Sequence, residues 1–279
     1  MALANMRDLL RQADAQKRAV GAFNVSTIEM RCGVVKAAEE LQTPVILQVA
    51  QIRLATTPLP LLGRAMYEAA SRAKVPVALH LDHGTTMDCI QLALDLGFTS
   101  VMYDGSALSM EDNIARTQDV VRLAEKYGAA VEAEIGSLGR TETGEETVAA
   151  YTNPADAIIF AHETHVDALA VAIGNAHGVY AGTPTFHFEV LDAVHAGCDT
   201  PLVLHGGTGS SETNFRRCIE SGVRKINIAT AIFQAAARAV HTVTADDWFA
   251  MSRAMTQSVT DVVKEKKKTV PWGKLANRE

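Results

Sequence analysis

The chain has 279 residues, of which 48% are hydrophobic and 21% charged, with a formal net charge of −6. That composition excludes a disordered chain, and an acidic balance without a Lys/Arg-rich stripe argues against a nucleic-acid partner. The length suits a closed α/β barrel, which can run to about 250 residues as one domain, so residues 1–279 are read as a single domain.

In chain order, Arg7 to Lys17 reads as a helix ahead of the first strand. Eight apolar, β-branched runs follow as strands: Val20–Asn24, Val45–Val49, Val77–Leu81, Ser100–Tyr103, Ala130–Ile135, Ala168–Ile173, Leu202–His205 and Arg224–Ile228. Pro44, Pro76, Pro201 and Gly222 punctuate the starts of several of them. Between the strands, segments such as Ile28–Leu41, Leu61–Ala73, Met87–Leu96, Glu111–Lys126 and Thr213–Ser221 repeat apolar residues at three and four, the helical period. Asp246–Lys268 reads as one or more extra helices, and its basic run from Lys264 to Lys268 as a solvated helix end. Eight βα units of roughly 30 residues predict a (β/α)8 TIM barrel with an extra N-terminal helix and C-terminal helices. An open doubly wound sheet is the alternative, but Phe23-Asn24-Val25-Ser26 after the first strand lacks its Gly-rich phosphate turn.

Four widely spaced cysteines, Cys32, Cys89, Cys198 and Cys218, form neither a disulfide framework nor a zinc knuckle, which points to a reducing, cytoplasmic setting. The opening MALANMRDLL meets Asp8 before any long apolar run, so no secretory signal is expected. No stretch approaches the ~18 apolar residues of a transmembrane helix, so no membrane partner is expected either.

A barrel carries its chemistry at the C-terminal ends of its strands. In this chain those positions are polar: Asn24, Asp82-His83-Gly84, Asp104-Gly105-Ser106, Glu132 and Glu134, Gly174 to Gly178, His205 to Gly209, and Asn227 to Thr230. His83, His177 and His205 follow three different strands, each beside a glycine. Three imidazoles can hold Zn²⁺ and leave a fourth position open for a substrate. His80 lies inside a strand as a barrel residue, and His162-Glu-Thr-His165 lacks the i, i+4 spacing of a zincin helix. His205-Gly-Gly-Thr-Gly-Ser and Asn227-Ile-Ala-Thr each lead into a helix and offer backbone N–H groups, the usual phosphate site of such barrels. The acidic loop Gly139-Arg-Thr-Glu-Thr-Gly-Glu-Glu reads equally as a lid or as a solvated loop.

With these segments in place, the sequence resembles the class II, metal-dependent ketose-bisphosphate aldolases, in particular their shorter, tagatose-bisphosphate-aldolase-like branch. The matching segments are Ala78 to Gly84, Tyr103 to Ser106, Val131 to Gly136, Val171 to Gly178, Leu202 to Gly209 and Lys225 to Thr230, in the family's order. The resemblance implies reversible cleavage of a ketose 1-phosphate or 1,6-bisphosphate to dihydroxyacetone phosphate and an aldehyde. It implies that His83, His177 and His205 ligate catalytic Zn²⁺, with Asp104 and Glu134 as an outer shell or secondary metal position. Asp82 would move the proton of the C4 hydroxyl, and Glu142 that at C3. Gly178, Gly206, Gly207, Thr208, Asn227, Ile228, Ala229 and Thr230 would hold the phosphate and its enediolate. Asn24 joins this substrate set, Arg278 matches a C-terminal Arg that reaches a neighbouring subunit, and a monovalent cation (Na⁺ or K⁺) has a place near the phosphate. Glu132 would orient a ligand histidine or the loop. The partners implied are a small phosphorylated sugar and further copies of the chain, as a homodimer or homotetramer.

The physical chemistry agrees. A Lewis acid stabilises the enediolate that C–C cleavage leaves. A carboxylate of ordinary pKa is a weak base, so burial or a proton-sharing neighbour is expected to raise Asp82. Three departures bear on the substrate. The phosphate loop reads His-Gly-Gly-Thr-Gly where relatives commonly have Gly-Ala-Ser, and the lid reads Gly139-Arg140-Thr141-Glu142 where a second Gly is common. Gln48-Val-Ala-Gln-Ile-Arg places Ala50 or Gln51 where many relatives have a Ser that grips a distal phosphate. The aldehyde half is therefore left open: a phosphate, no charge, or a carboxylate near Arg53. Two rivals also stay open: a Schiff-base aldolase using Lys225, which shares a strand face with Asn227, and a non-catalytic subunit of an aldolase complex.

Overall fold

A computed structural model describes residues 2–136, 139–140, 151–178, 180, 184–243 and 247–270. Eight parallel strands close into a barrel: β1 (Val20–Asn24), β2 (Val45–Ala50), β3 (Val77–Gly84), β4 (Ser100–Tyr103), β5 (Ala130–Ile135), β7 (Ala168–Val171), β9 (Leu202–Leu204) and β10 (Val223–Ile228). Two short strands, β6 (Gly139–Arg140) and β8 (Ala176–His177), pair with each other outside the barrel. Between and after the strands run α2 (Ile28–Glu40), α3 (Leu59–Arg72), α4 (Met87–Asp95), α5 (Met110–Glu125), α6 (Pro154–Thr164), α7 (Phe188–Gly197), α8 (Glu212–Glu220) and α9 (Thr230–Val240), with α1 (Met6–Ala15) before the first strand and α10 (Trp248–Thr269) after the last helix. The anticipated barrel and its N-terminal helix are present, and the C-terminal region is one long helix.

Helix starts follow from local sequence. Thr27, Thr86, Ser109 and Ser211 each accept a hydrogen bond from a backbone N–H in the first turn of α2, α4, α5 and α8. Asn153 does the same for α6, with Pro154 opening the helix, where the missing proline N–H costs nothing.

The period-2 alternation of the strands sorts the barrel into two environments. Outward residues such as Leu47, Leu79, Val131 and Leu169 pack under the helices in one continuous core. Inward residues at the N-terminal ends of the strands are small or aliphatic: Val20, Ile46, Ala78, Ala130, Ala168 and Val203. Their small size leaves room for Met6, Leu9, Leu10 and Ala13, with which α1 plugs that end of the barrel. The Ala2–Ala4 segment ahead of α1 is tied down by backbone hydrogen bonds with Val77 at 2.8 and 2.9 Å. Further along the same inward faces the residues turn polar: Gln48, His80, Ser100, Glu132 and Lys225, then Asn24, Asp82, Glu134 and Asn227, all buried. The active end of the barrel thus rests on a buried polar layer, which rests on an apolar plug.

Candidate active site

Asp82 and His83 lie within β3, which runs to Gly84 rather than stopping at Leu81. Strict alternation would send their side chains to opposite faces. The β3–β4 register shifts between Leu81 and Gly84, and His83 takes a left-handed φ of 45°. This irregularity turns His83 towards the barrel mouth beside Asp82, a recurrent use of bulges next to active sites. His177 comes not from a barrel strand but from β8, paired through Arg140 with β6. His205 follows directly on β9.

The three imidazoles converge. One ring nitrogen from each lies within 4.8 Å of the others. The ring centroids of His83 stand 4.9 Å from His177 and 4.7 Å from His205. Nδ1 of His83 is 2.7 Å from an Asp104 oxygen, and Nε2 of His205 is 2.8 Å from Glu132 Oε1. A carboxylate accepts the proton of each of these nitrogens, so the remaining nitrogens, His83 Nε2 and His205 Nδ1, face each other with lone pairs only 2.9 Å apart. Such an arrangement is repulsive unless a proton or a cation sits between them. Carboxylate–imidazole pairs directing bare nitrogens at one point are the donor set of a divalent metal site, so the residues present fit a metal. Asp104 and Glu134 lie on the other side of His83, 2.7 and 3.8 Å from its Nδ1, and so address the nitrogen turned away from the convergence. His83, Asp104 and Glu134 make a second potential ligand group there.

Charge in this cluster is strongly perturbed. Burial, then the charge of Asp104, pushes Glu134 up to about 8, and its Oε2 has no hydrogen-bond partner. Burial also pushes Glu132 up, but Lys225 and the neighbouring histidines outweigh it and bring it to about 2. Asp82 departs from expectation. Burial acts to raise it, yet the charges of His83, His205, Lys225 and His80 prevail, and it is held below the usual carboxylate value. It is an ionised acceptor fixed on both oxygens: Asn24 Nδ2 donates to Oδ2 at 2.8 Å and Asn227 Nδ2 to Oδ1 at 3.2 Å.

Above this cluster opens a cavity of about 460 Å³, a size suited to a small molecule. Asn24, Asp82, His83, Asp104, His177, Gly178, Gly206, Thr208, Asn227, Ala229 and Thr230 line it. Gly206 has φ of 67°, and a Cβ there would fall 2.1 Å from the Ala176 carbonyl oxygen, so no other residue fits. Two anticipated members are placed elsewhere. The Gly207 N–H donates to the Asn227 carbonyl at 2.9 Å, and the Ile228 side chain belongs to the outer core. Neither lines the cavity, because close strand packing and alternation take them away from it. Glu142 and Arg278 lie outside the described residues.

The rest of the cavity wall is formed by Ala50, Gln51, Ile52, Arg53, Ala55, Thr85 and Phe233. Gln51 is committed to this wall, accepting from the Thr85 N–H at 2.8 Å. The guanidinium of Arg53 lies over the Phe233 ring, 5.4 Å from its centroid. Phe233 and Thr85 escaped the sequence reading; Phe233 sits one turn into the helix after β10, a position that rim geometry alone singles out. Lys225 does not line the cavity. It is fully buried beneath it, 2.8 Å from Glu132 Oε2, and cannot reach a carbonyl substrate there.

A parallel barrel with ionised carboxylate, convergent imidazoles and glycine loop gathered at its C-terminal rim is the layout of a barrel enzyme. Residues 4–271 match the family model "Fructose-bisphosphate aldolase class-II", and the chain belongs to that family. It is 40% identical over 277 residues, 95% of each chain, to the 6-phospho-5-dehydro-2-deoxy-D-gluconate aldolase of Halalkalibacterium halodurans. It is 36% identical over 255 residues, 88% of each chain, to a fructose-bisphosphate aldolase of Staphylococcus aureus. The crystal structure of the YdjI aldolase from Escherichia coli K12 superposes with a TM-score of 0.88 at 35% identity, covering 97% of this chain and 98% of that one.

Proposed function

We propose that this chain catalyses the reversible, zinc-dependent cleavage of a ketose 1-phosphate, with or without a second acidic group at the far end, to dihydroxyacetone phosphate and an aldehyde. The observation that carries the reading is Asp82, ionised and fixed by two amides beside three converging imidazoles at the floor of a cavity walled by a glycine loop. His83, His177 and His205 would hold the metal, which when bound supplies Lewis-acid stabilisation of the charge left by C–C cleavage. Asp82 accepts the proton of the C4 hydroxyl as the C3–C4 bond breaks and returns it in the condensation direction. Glu142 is assigned the proton at C3, and Arg278 a substrate contact from a neighbouring subunit. The N–H groups of Gly206 and Thr208 and the start of α9 are assigned the 1-phosphate, with Na⁺ or K⁺ beside it.

Arg53 is the cation lining the cavity, and the gluconate named for the Halalkalibacterium relative carries both a phosphate and a carboxylate. A distal acid is therefore the favoured substrate feature. The test is a panel of ketose 1-phosphates bearing a distal hydroxyl, phosphate or carboxylate, assayed with Zn²⁺ for dihydroxyacetone phosphate. Release is expected, fastest from a distal acid, and Arg53→Ala should raise KM roughly tenfold for that substrate alone, the loss of about 1.4 kcal/mol. No release from any member of the panel would sink the reading.

A further inference from the structure

The aldolase reading leaves Lys225 without a task, although burying a lysine inside a barrel is costly unless its charge is matched. Its ammonium is matched twice. Nζ lies 2.8 Å from Glu132 Oε2 and donates to Asn227 Oδ1 at 2.7 Å. Glu132 ends on the imidazole cluster and Asn227 on Asp82, with the Asn227 amide also 3.3 Å from His205 Nδ1.

The first branch leads to the imidazole cluster. Glu132 turns one oxygen to Lys225 and the other, Oε1, to His205 Nε2 at 2.8 Å. With Oε2 anchored by the ammonium, Oε1 has one place to go, and the hydrogen bond it accepts fixes both the rotamer and the tautomer of His205. That tautomer leaves Nδ1 bare and aimed at His83. His80 lies beside the network without joining it: its Nδ1 is 2.9 Å from the Ser100 hydroxyl, and its Nε2, 3.5 Å from Glu132 Oε2, makes no hydrogen bond among the described residues.

The second branch leads to Asp82. An amide can be flipped end for end at little cost in shape, and only its partners decide which end faces where. The ammonium has no acceptor capacity, so the Asn227 carbonyl oxygen must face it and the NH₂ must face Asp82. On the opposite side of Asp82, the Gln48 amide donates to Asn24 Oδ1 at 2.7 Å and so directs the Asn24 NH₂ to the other carboxylate oxygen. Asp82 is clamped by two amides, each oriented from beneath by a buried donor, but only the Lys225 side also reaches the imidazoles.

We propose that Lys225 is a positioning residue that sets His205 for metal binding through Glu132 and Asp82 for proton transfer through Asn227. This rests on the aldolase reading for its catalytic half alone. It makes the lysine of this barrel a structural cation acting at one remove, not a Schiff-base nucleophile.

The test uses the full chain with Lys225→Met, which keeps length and apolar bulk, and Lys225→Gln, which keeps an N–H donor without the charge. Zinc affinity is measured by chelator competition with no substrate present, and the Co²⁺-loaded protein is compared by its visible absorption. Removing a group that orients a metal-bound histidine typically costs 10–100-fold in metal affinity, and a loss in that range is expected for both variants. For the substrate that the wild type cleaves best, kcat should fall about 100-fold with KM within threefold, the pattern of a lost transition-state interaction. Lys225→Met combined with Asn227→Ala should fall by less than the product of the two single losses, because the Asp82 branch is common to both while the Glu132 branch runs through Lys225 alone. Should Lys225→Met fail to fold, Lys225→Gln carries every arm. A folded variant with a lower Tm but with zinc affinity and kcat within threefold of wild type would make Lys225 a core residue only and overturn the proposal. A borohydride-fixed substrate adduct on Lys225 would overturn it too. An inactive wild type would defeat the aldolase reading, while the zinc measurement would still decide the metal half.

Discussion

Asp82 and His205 sit within one hydrogen-bonded cluster yet should fail differently. His205 offers a bare nitrogen to the convergence point and Asp82 does not. His205→Ala is expected to abolish both zinc content and cleavage. Asp82→Ala should keep its zinc while turnover drops by about 10²–10⁴, the range for a lost general base. Metal analysis of the purified variants beside their kcat checks both, and a fully active Asp82→Ala protein would remove Asp82 from the proton path. Cysteine chemistry divides as sharply. Burial pushes the Cys218 thiol up to about 12, whereas Cys32 is exposed. Thiolate is the reactive form, so an alkylating reagent at pH 8 should modify Cys32 in the native protein and reach Cys218 only after denaturation, as read by peptide mass mapping.

At the scale of elements, α10 is fastened to α2 through a missing side chain. A Cβ on Gly33 would lie 2.7 Å from the Thr256 carbonyl oxygen and 2.8 Å from Val259, and Thr260 donates its hydroxyl to the Gly33 carbonyl at 3.2 Å. Gly33→Val should therefore cost roughly 1–3 kcal/mol, the usual range for overpacking, seen as a lower midpoint in urea, with zinc content unchanged. Most elements were legible from local pattern: β1, β4 and β5 have the bounds their β-branched runs predict, and the polar residues at strand ends do gather at one rim. What escaped was set by tertiary structure. β3 continues through His83 because a register shift and a left-handed residue re-aim it, and no sequence period signals that. Strand alternation placed Lys225 on the inward face, but not the depth that gives it to Glu132 instead of the cavity. The α6 start is legible in Asn153 and Pro154, a cap and first turn, whereas its buried face is too short, Ala157, Phe160 and Ala161 with the polar Thr164, to stand out as a helical period.

The whole molecule separates what holds the barrel from what works in it. The helix–barrel layer and the α1 plug are apolar and need no ligand, and among the described residues no helix is long and apolar enough to cross a membrane. Exposed Ile28, Trp248 and Phe249 lie at the start of α2 and of α10, and the Ser252–Glu29 hydrogen bond brings those two ends together. A homodimer or homotetramer is expected in sedimentation. The centre, by contrast, gathers Asp82, Asp104, Glu132 and Glu134 with the Lys225 ammonium and the imidazoles in one buried polar cluster. A divalent ion bound only by the folded cluster stabilises the fold by mass action, about 2.7 kcal/mol at a free concentration a hundredfold above its Kd. At about 2–4 °C per kcal/mol for a chain of this class, chelation should lower Tm by roughly 5–10 °C, and Zn²⁺ should restore it. Because the apolar layers are independent of the site, the far-UV circular dichroism at 25 °C should not change when the metal is removed. A Tm indifferent to both chelator and zinc would mean that the three imidazoles converge without binding the ion.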